Sequence, residues 1–196
     1  MVPTRRSFLA AFLAGSGLAP LALHRAAAQA APPLELTPEC IDHAPVTLAQ
    51  TEGPYFKPNA PLKRDLAADA PRGERIAVAG FVVDAACRPV AKALIQLWHA
   101  DESGAYDNTG FRLRGYQLTD DSGRWWFETI VPALYPGRTR HYHVKVQRPG
   151  GRVLTTQLYF PGEPQNRRDP IFNEKLLMKI GDSGEGKIGR YDFVLS

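Results

Sequence analysis

The stretch GYQLTDDSGRWWFETI, residues 115–130, has the pattern of two β-strands joined by a turn. Its two ends are rich in the aromatic and β-branched residues that favour strands. Its centre, DDSG at 120–123, is typical of a turn, because Asp and Ser side chains bond to nearby backbone N–H groups and Gly tolerates a positive φ. The stretch therefore predicts a strand, a turn and a second strand.

The same pattern of short strands and turns extends outward in both directions. Strand-like runs lie at 75–84, 91–100, 140–149, 153–160 and 189–196. Gly150 and Gly151 separate two of these runs and predict a hairpin. Because turns recur and no long stretch has the period of a helix, we predict an all-β fold, an antiparallel β-sandwich with long connecting loops. Residues 161–175 are expected to form one such loop, and a short helix near 171–179 is left open.

Residues 1–30 have the features of an export signal. Arg5 and Arg6 precede an apolar run, and Ala28-x-Ala30 matches a cleavage site. The arginine pair resembles a twin-arginine signal, which would engage the twin-arginine export machinery and deliver a folded protein to the periplasm or beyond. An ordinary secretory signal is the alternative. A stable membrane anchor is disfavoured, because Gly and Pro interrupt the short apolar run.

The charge of the chain argues against nucleic acid as a partner. Residues 1–30 contain three Arg and no acidic residue, so the formal net charge of +4 falls to +1 without them. A nearly neutral domain lacks the basic surface that a phosphate backbone requires. We expect residues 31–50 to form an extended N-terminal arm and residues 51–196 to form one domain.

Cys40 and Cys87 are the two cysteines of the chain. An oxidising compartment would permit a disulfide, and two cysteines allow only one intrachain pairing. The sequence leaves that pairing open, because nothing in it fixes the distance between the two Cα atoms. Two cysteines so far apart are too few for a Cys-based metal site.

His141 and His143 alternate in a strand-like run, so both side chains would point to one face. A lone His-x-His pattern more often marks two hydrogen-bonded histidines than a metal site. Tyr135, however, lies six residues before His141 in a Pro-Gly turn. Tyr106 lies in a Gly- and Asp-rich loop after a strand, where a rigid scaffold can present a functional side chain. Together the four residues suggest a metal centre.

The donor types indicate which metal this centre would hold. Zinc ordinarily takes His, Cys or carboxylate ligands. A cupin-type site would add a carboxylate and a later histidine to the His-x-His pair, so it is disfavoured. Tyrosine binds as phenolate, a hard anionic donor. Two phenolates and two neutral imidazoles favour a hard trivalent ion, above all Fe(III), and oppose its reduction.

The chain resembles the intradiol ring-cleavage dioxygenases, the family of catechol and protocatechuate dioxygenases, and especially its short, exported, single-domain members. The matching segments lie within residues 51–196 and are TEGPYF, LIQLWHADESGAY, RGYQLTDDSGRWWFETIVPALYPGRTRHYHVKV, LTTQLYFPG and RYDFVL. The most specific segment is the core Y-P-G-R-x-x-H-x-H, preceded by a G-x-Y.

This resemblance implies site residues position by position. One Fe(III) per chain would be held by Tyr106, Tyr135, His141 and His143. Arg138 matches the family's active-site arginine, and Gln157 matches its active-site glutamine. The segment expected to line the substrate pocket consists of Gly53, Pro54 and Tyr55.

The resemblance also implies a reaction between a small aromatic diol and O2. Tyr135 would leave the metal and accept a proton from the diol, while Arg138 would stabilise negative charge on the ring and on oxygen. Cleavage between the two hydroxylated carbons would give a muconate-type product. Tyr142, which replaces a commoner isoleucine, should point away from the metal, and His99 should not be a ligand.

Two other classes of protein share this strand pattern. One is a non-catalytic, transthyretin-like β-sandwich that serves as a binding module. The other is a metal protein with a different activity at the same centre, such as a peroxidase-like one. A binding module has no reason to hold two Tyr, two His and an Arg at this spacing, so the dioxygenase is favoured. Neither the identity of the catechol nor an oligomeric state is indicated by the sequence.

Overall fold

The computed structural model describes Cys40, residues 45–182 and residues 186–196. The predicted export signal at 1–30 and most of the predicted arm at 31–50 lie outside the described residues. Within them the strands are β1 (Arg75–Asp84), β2 (Leu94–Trp98), β3 (Arg114–Leu118), β4 (Arg124–Ile130), β5 (His141–Gln147), β6 (Val153–Tyr159), β7 (Lys179–Asp182), β8 (Lys187–Arg190) and β9 (Phe193–Leu195). Short 3₁₀ turns occupy Ala67–Asp69, Pro164–Arg167 and Glu174–Leu176. The described residues include no helix with the length and hydropathy needed to cross a membrane.

The strands form two sheets. One contains four antiparallel strands in the order β3-β2-β5-β6, and the other contains β4-β1-β8-β7, with β9 also paired to β1. The turn at 120–123 carries the chain from β3 in the first sheet to β4 in the second. Asp120 Oδ1 accepts hydrogen bonds from the backbone N–H groups of Ser122 and Arg124, both at 2.9 Å. The predicted turn at 120–123 therefore links the two layers.

The predicted all-β sandwich is confirmed, with differences in detail. β1 pairs in parallel with β8 and β9, whereas the other pairs between named strands are antiparallel. The single strand expected at 189–196 is split between β8 and β9. β8 pairs with the middle of β1 and β9 with its end, and the chain shifts between them at Tyr191, whose N–H donates to Ala79 O at 3.0 Å. β7 was missed, since its residues are mostly exposed and show no alternation.

The inner faces of the two sheets share a core of aromatic and aliphatic side chains. Trp125, Phe127 and Tyr142 are fully buried in it, and burying one such side chain contributes roughly 1.5–3 kcal/mol. The Tyr142 hydroxyl donates to Ile130 O at 2.9 Å, which satisfies its polar end inside the core. Tyr142 therefore points away from the outer face of β5.

The outer face of β5 is covered by loops. His141 and His143, which lie on this face, are only 4% and 2% exposed. The loop carrying Tyr106 and the segment around Gly53 pack against them. The candidate site is therefore built between the four-stranded sheet and the long loops that the sequence predicted.

A disulfide joins Cys40 to Cys87, with the two Cα atoms 5.7 Å apart. The chain then runs across both sheets. The backbone N–H of Thr47 donates to β9 at 2.9 Å, and that of Gln50 donates to β6 at 2.8 Å. The described part of the arm is thus tied to the domain by one covalent bond and by backbone hydrogen bonds.

Candidate metal centre

His141 and His143 begin β5 and point to its outer face, with their Nε2 atoms 3.1 Å apart. Strand pairing sets Trp98 of β2 opposite His143. The Trp98 ring stacks on the imidazole, with centroids 5.0 Å apart and an interplanar angle of 7°. The sheet itself therefore fixes the orientation of one histidine ring.

Both imidazoles are held in the neutral form that binds metals. Burial lowers the pKa of His141 to about 4 and that of His143 well below its usual value. His141 Nδ1 lies 2.6 Å from the carbonyl oxygen of Thr139, which can only accept. Nδ1 therefore carries the proton, and the lone pair of Nε2 faces the cluster.

Tyr106 reaches the histidines from the loop between β2 and β3. Asp101 Oδ1 folds this loop by accepting from the N–H groups of Ser103 and Ala105 at 2.9 and 3.0 Å. The Tyr106 hydroxyl lies 3.3 Å from His141 Nε2. Burial raises the pKa of Tyr106 above its ordinary value, against the opposing charge of two nearby arginines. A bound cation would favour the phenolate form that burial alone disfavours.

Tyr135 enters the cluster from the turn before β5. The N–H of Arg138 donates to Tyr135 O at 2.9 Å. Gly137 has a φ of +77°, which only glycine adopts without strain. The rings of Tyr135 and Tyr106 have centroids 5.9 Å apart at an interplanar angle of 86°. The turn thus brings a second phenol beside the first.

The donor set fits Fe(III) better than a metal that prefers carboxylates or thiolates. In the described ranges no group of three or more His, Cys, Asp or Glu side chains could hold a metal, so a metal at this cluster would need the phenolates of Tyr106 and Tyr135. Gly53 leaves room beside the donors, since a Cβ there would lie 3.1 Å from His143 Cε1 and 3.6 Å from its Nε2.

Arg138 and Gln157 lie beside this cluster. Gln157, on β6, is fully buried and pairs with His143 in the strand register. Arg138 Nη2 donates to Gln157 Oε1 at 2.6 Å, and Gln157 Nε2 donates to Thr51 O at 3.0 Å. The guanidinium charge is therefore held next to the cluster by a side chain whose own position is fixed.

The predicted substrate segment passes over the two phenols. Tyr55 stacks on Tyr106, with centroids 4.3 Å apart and an interplanar angle of 11°. Its hydroxyl lies 3.0 Å from that of Tyr135, and this hydrogen bond raises the pKa of Tyr55. Gly53, with a φ of +69°, approaches the cluster closely, whereas Pro54 is exposed. The structure therefore places Gly53 and Tyr55 at the cluster itself.

His99 lies apart from the cluster. Its Nε2 is 2.7 Å from Thr129 Oγ1, and its Nδ1 is 2.7 Å from Ala100 O. Burial lowers the pKa of His99 to about 4. It is a hydrogen-bonded core histidine.

Two buried charged residues next to the site were missed by the sequence analysis. Arg114, on β3, is 1% exposed and donates to the carbonyl oxygens of Tyr55 and Asp107 at 2.5 and 3.0 Å. Asp169 accepts a hydrogen bond from Arg138 Nε at 2.8 Å. Arg114 lies in an ordinary strand pattern and Asp169 in a loop rich in charges, so neither carries a local signal.

Comparison with known proteins gives a consistent picture. Residues 51–196 match a family model described as Dioxygenase. The chain is 35% identical over 153 residues to the protocatechuate 3,4-dioxygenase beta chain of Burkholderia cepacia. The aligned region covers 66% of this chain and 62% of the relative. The chain spans between 50% and 62% of the length of three such curated relatives.

Solved structures show the same architecture. The dioxygenase domain of a dioxygenase carbohydrate-binding protein fusion from the cellulolytic bacterium Streptomyces sp. SirexAA-E is 51% identical, with a TM-score of 0.75 over 78% of this chain and 99% of that one. The 3-chlorocatechol 1,2-dioxygenase of Rhodococcus opacus 1CP is 27% identical, with a TM-score of 0.70 over 78% of this chain and 73% of that one. Because the family match covers well over half of the chain, the protein belongs to the intradiol ring-cleavage dioxygenase family.

Proposed function

We propose that this protein is a non-haem Fe(III)-dependent dioxygenase that cleaves a catechol-type ring between its two hydroxylated carbons and forms a muconate-type product. The observation that carries the proposal is the convergence of two phenols and two neutral imidazoles beside the Arg138 guanidinium. A transthyretin-like binding module would have the same β-sandwich fold, but binding alone does not require this combination of phenols, imidazoles and a guanidinium.

The proposed ligands of one Fe(III) per chain are Tyr106, Tyr135, His141 and His143. Bound Fe(III) would draw electron density from a diol held through both oxygens and so make its ring reactive toward O2. The protein contributes a buried site, which strengthens the electrostatic effect of each nearby charge.

Tyr135 is the proposed proton acceptor for the diol. It is less enclosed than the two histidines, and its hydroxyl oxygen already has a hydrogen-bond partner in Tyr55 Oη at 3.0 Å. A phenolate released at this position would keep that partner while it takes a proton from a substrate hydroxyl. Tyr106 is packed between Tyr55 and His141, which suits a ligand that stays in place.

Arg138 is the proposed source of positive charge for the reacting ring and oxygen. A charge held in place beforehand needs no reorganisation during the reaction and is typically worth a few kcal/mol. Gln157 would keep the guanidinium directed toward the cluster through its 2.6 Å hydrogen bond.

The proposed substrate class is a small aromatic ring with two adjacent hydroxyl groups. The relatives are named for protocatechuate, hydroxyquinol, catechol and chlorocatechol, and adjacent hydroxyl groups are the unit that these compounds share. O2 is the second substrate.

We also propose that the protein is exported through the twin-arginine route to the periplasm or beyond. The basis is the pair Arg5 and Arg6 before an apolar run. The Cys40–Cys87 disulfide is in keeping with an oxidising compartment.

The iron content and the visible absorption of the purified protein test the proposed metal centre. The purified protein should contain one iron per chain and absorb visible light, because phenolate-to-Fe(III) charge transfer lies in the visible range. Tyr106→Phe and Tyr135→Phe should shift or bleach this band. Tyr191→Phe is the matched control, since its hydroxyl contacts Lys175 O outside the cluster. A colourless protein that retains zinc and takes up no iron would refute the proposal.

A further inference from the structure

The loop after β6 places the carboxylate of Asp169 next to Arg138. The Asp169 side chain is fully buried. Its Oδ2 accepts from Arg138 Nε at 2.8 Å and from the backbone N–H of Thr139 at 2.9 Å. Its Oδ1 accepts from the N–H of Ile171 at 3.0 Å. All three donors are in place, as a buried carboxylate requires.

These contacts leave the Arg138 guanidinium little freedom. Nε is bound to Asp169, and Nη2 donates to Gln157 at 2.6 Å and approaches Tyr159 Oη at 3.5 Å. Because the guanidinium is planar, bonds at two of its nitrogens fix the direction of the whole group. Asp169 and Gln157 therefore hold the guanidinium through two different nitrogens.

The same carboxylate also has a route to a proposed metal ligand. It holds the N–H of Thr139, whose carbonyl oxygen accepts the Nδ1–H of His141 at 2.6 Å. Asp169 could therefore act on Arg138 or on His141. The two routes differ in outcome, because disturbing His141 would change the metal centre and disturbing Arg138 would not.

We propose that Asp169 is a positioning residue for Arg138: its carboxylate fixes the orientation of the guanidinium that stabilises negative charge on the substrate. What this orientation does for turnover rests on the proposed function. Because a buried carboxylate without its partner is destabilising, the two side chains also require one another in the folded protein.

The ion pair between Arg140 and Glu163 is a matched control, since Arg140 lies two residues after Arg138. Arg140 Nε bonds Glu163 Oε1 at 2.8 Å, the same distance as in the Arg138–Asp169 pair. Both side chains of the control pair remain partly exposed, at 25% and 21%. An exposed pair of this kind contributes little, and neither residue contacts the cluster in the described contacts.

The experiment compares Asp169→Asn, Asp169→Glu, Arg138→Leu, the double variant Arg138→Leu with Asp169→Asn, and Glu163→Gln. Asp169→Asn should lower kcat by roughly 10–100-fold, the effect typical of removing a residue that orients an active-site group. Iron content, the visible band and the dissociation constant for catechol should stay within about threefold, since the proposed ligands are untouched. Asp169→Glu should recover part of the rate, and Glu163→Gln should match the wild type.

The effect of Asp169→Asn in the Arg138→Leu background shows whether Asp169 acts through Arg138 or through His141. If Asp169 acts through Arg138, adding Asp169→Asn to Arg138→Leu should cause no further loss of kcat. An equal loss in both backgrounds, a loss of iron with Asp169→Asn alone, or full activity of Asp169→Asn would each overturn the proposal. Should Asp169→Asn fail to fold, Asp169→Glu carries the test, with lowered kcat and retained iron expected and full activity contradicting it.

The pairing can be tested even if the proposed function is wrong. Asp169→Asn should lower the melting temperature more in the wild type than in the Arg138→Leu background, because only the wild type loses the ion pair together with one acceptor for a backbone N–H. A wild type that binds no iron and turns over no catechol would refute the proposed function, while this stability comparison would still measure the pairing. An equal fall in melting temperature in both backgrounds would show that the pairing is absent.

Discussion

At the scale of single residues, each proposed ligand has a neighbour that fixes its orientation. Trp98 stacks on His143, and the Thr139 carbonyl binds His141 Nδ1. Tyr55 stacks on one phenol and hydrogen-bonds the other. Because the ligands are held by these neighbours and by the backbone of the turn, and not by the Arg138 side chain, the charge of the arginine can be removed while the donor set stays intact.

Arg138→Leu tests the role of that charge. The substitution keeps much of the volume and all four proposed ligands, so iron content and the visible band should survive. Turnover of a good catechol should fall by roughly 10²–10³, the size expected for losing one preorganised electrostatic contact. Arg138→Lys should recover only part of the rate, since an ammonium cannot copy the guanidinium fork. Steady-state kinetics and iron analysis measure both effects.

Two outcomes would contradict this role. Loss of iron in Arg138→Leu would show that the arginine supports the metal centre itself. Undiminished turnover would show that the charge needed by the substrate comes from another group, for which Arg114 is a candidate, because it is buried and its charge also acts on Tyr106.

How far the sequence predicted the site depends on whether a residue belongs to a compact motif. The spacing in YPGRTRHYH and the upstream G-x-Y predicted four side chains that the structure brings together. Arg114 and Asp169 were not predicted, because their importance comes from burial next to partners far away in the chain. Asp169 lies 31 residues from Arg138, and Arg114 lies 59 residues from Tyr55.

At the scale of strands, the sequence predicted the strands with alternating or β-rich patterns and missed the pairing around β1. The limits predicted for the first strand, 75–84, are those of β1. The parallel pairing of β8 and β9 on β1 had no signal, because parallel neighbours here come from the far end of the chain. This parallel pairing brings the backbone of Tyr191 close to Gly80, where an added Cβ would lie 1.8 Å from Tyr191 O.

Gly80→Ala tests this account of the five-stranded sheet. Since the obstacle is a backbone carbonyl between β8 and β9, the added methyl group must displace a strand. We expect the free energy of unfolding to fall by at least about 2 kcal/mol, as for overpacking of a rigid site. Gly181→Ala in β7 is the control, because its nearest neighbour would be Ile188 Cγ2 at 3.9 Å. Urea denaturation that shows Gly80→Ala to be as stable as the control would contradict the pairing.

At the scale of the whole molecule, the disulfide and the proposed export signal both bear on how the protein matures. The disulfide closes a span of 47 residues between the arm and the turn after β1, and closing a loop of this size stabilises a fold by roughly 2–4 kcal/mol. An iron protein exported by the twin-arginine route would acquire iron before export and the disulfide after it.

Arg5→Lys combined with Arg6→Lys tests that order of events. The twin-arginine route requires the arginine pair, so the double variant should accumulate as precursor in the cytoplasm. Cell fractionation with an antibody against the domain measures its location, and the precursor should still bind iron. Normal export of the double variant would indicate the general secretory route instead.

The most direct test of the proposed reaction is the mass of the product formed from catechol under ¹⁸O2. Intradiol cleavage predicts cis,cis-muconate that carries both atoms of the labelled O2, because the ring opens between the two hydroxylated carbons and both oxygen atoms are retained. A product opened beside the diol, a product with one labelled atom, or no ring-cleaved product from any catechol tested would contradict intradiol dioxygenase activity.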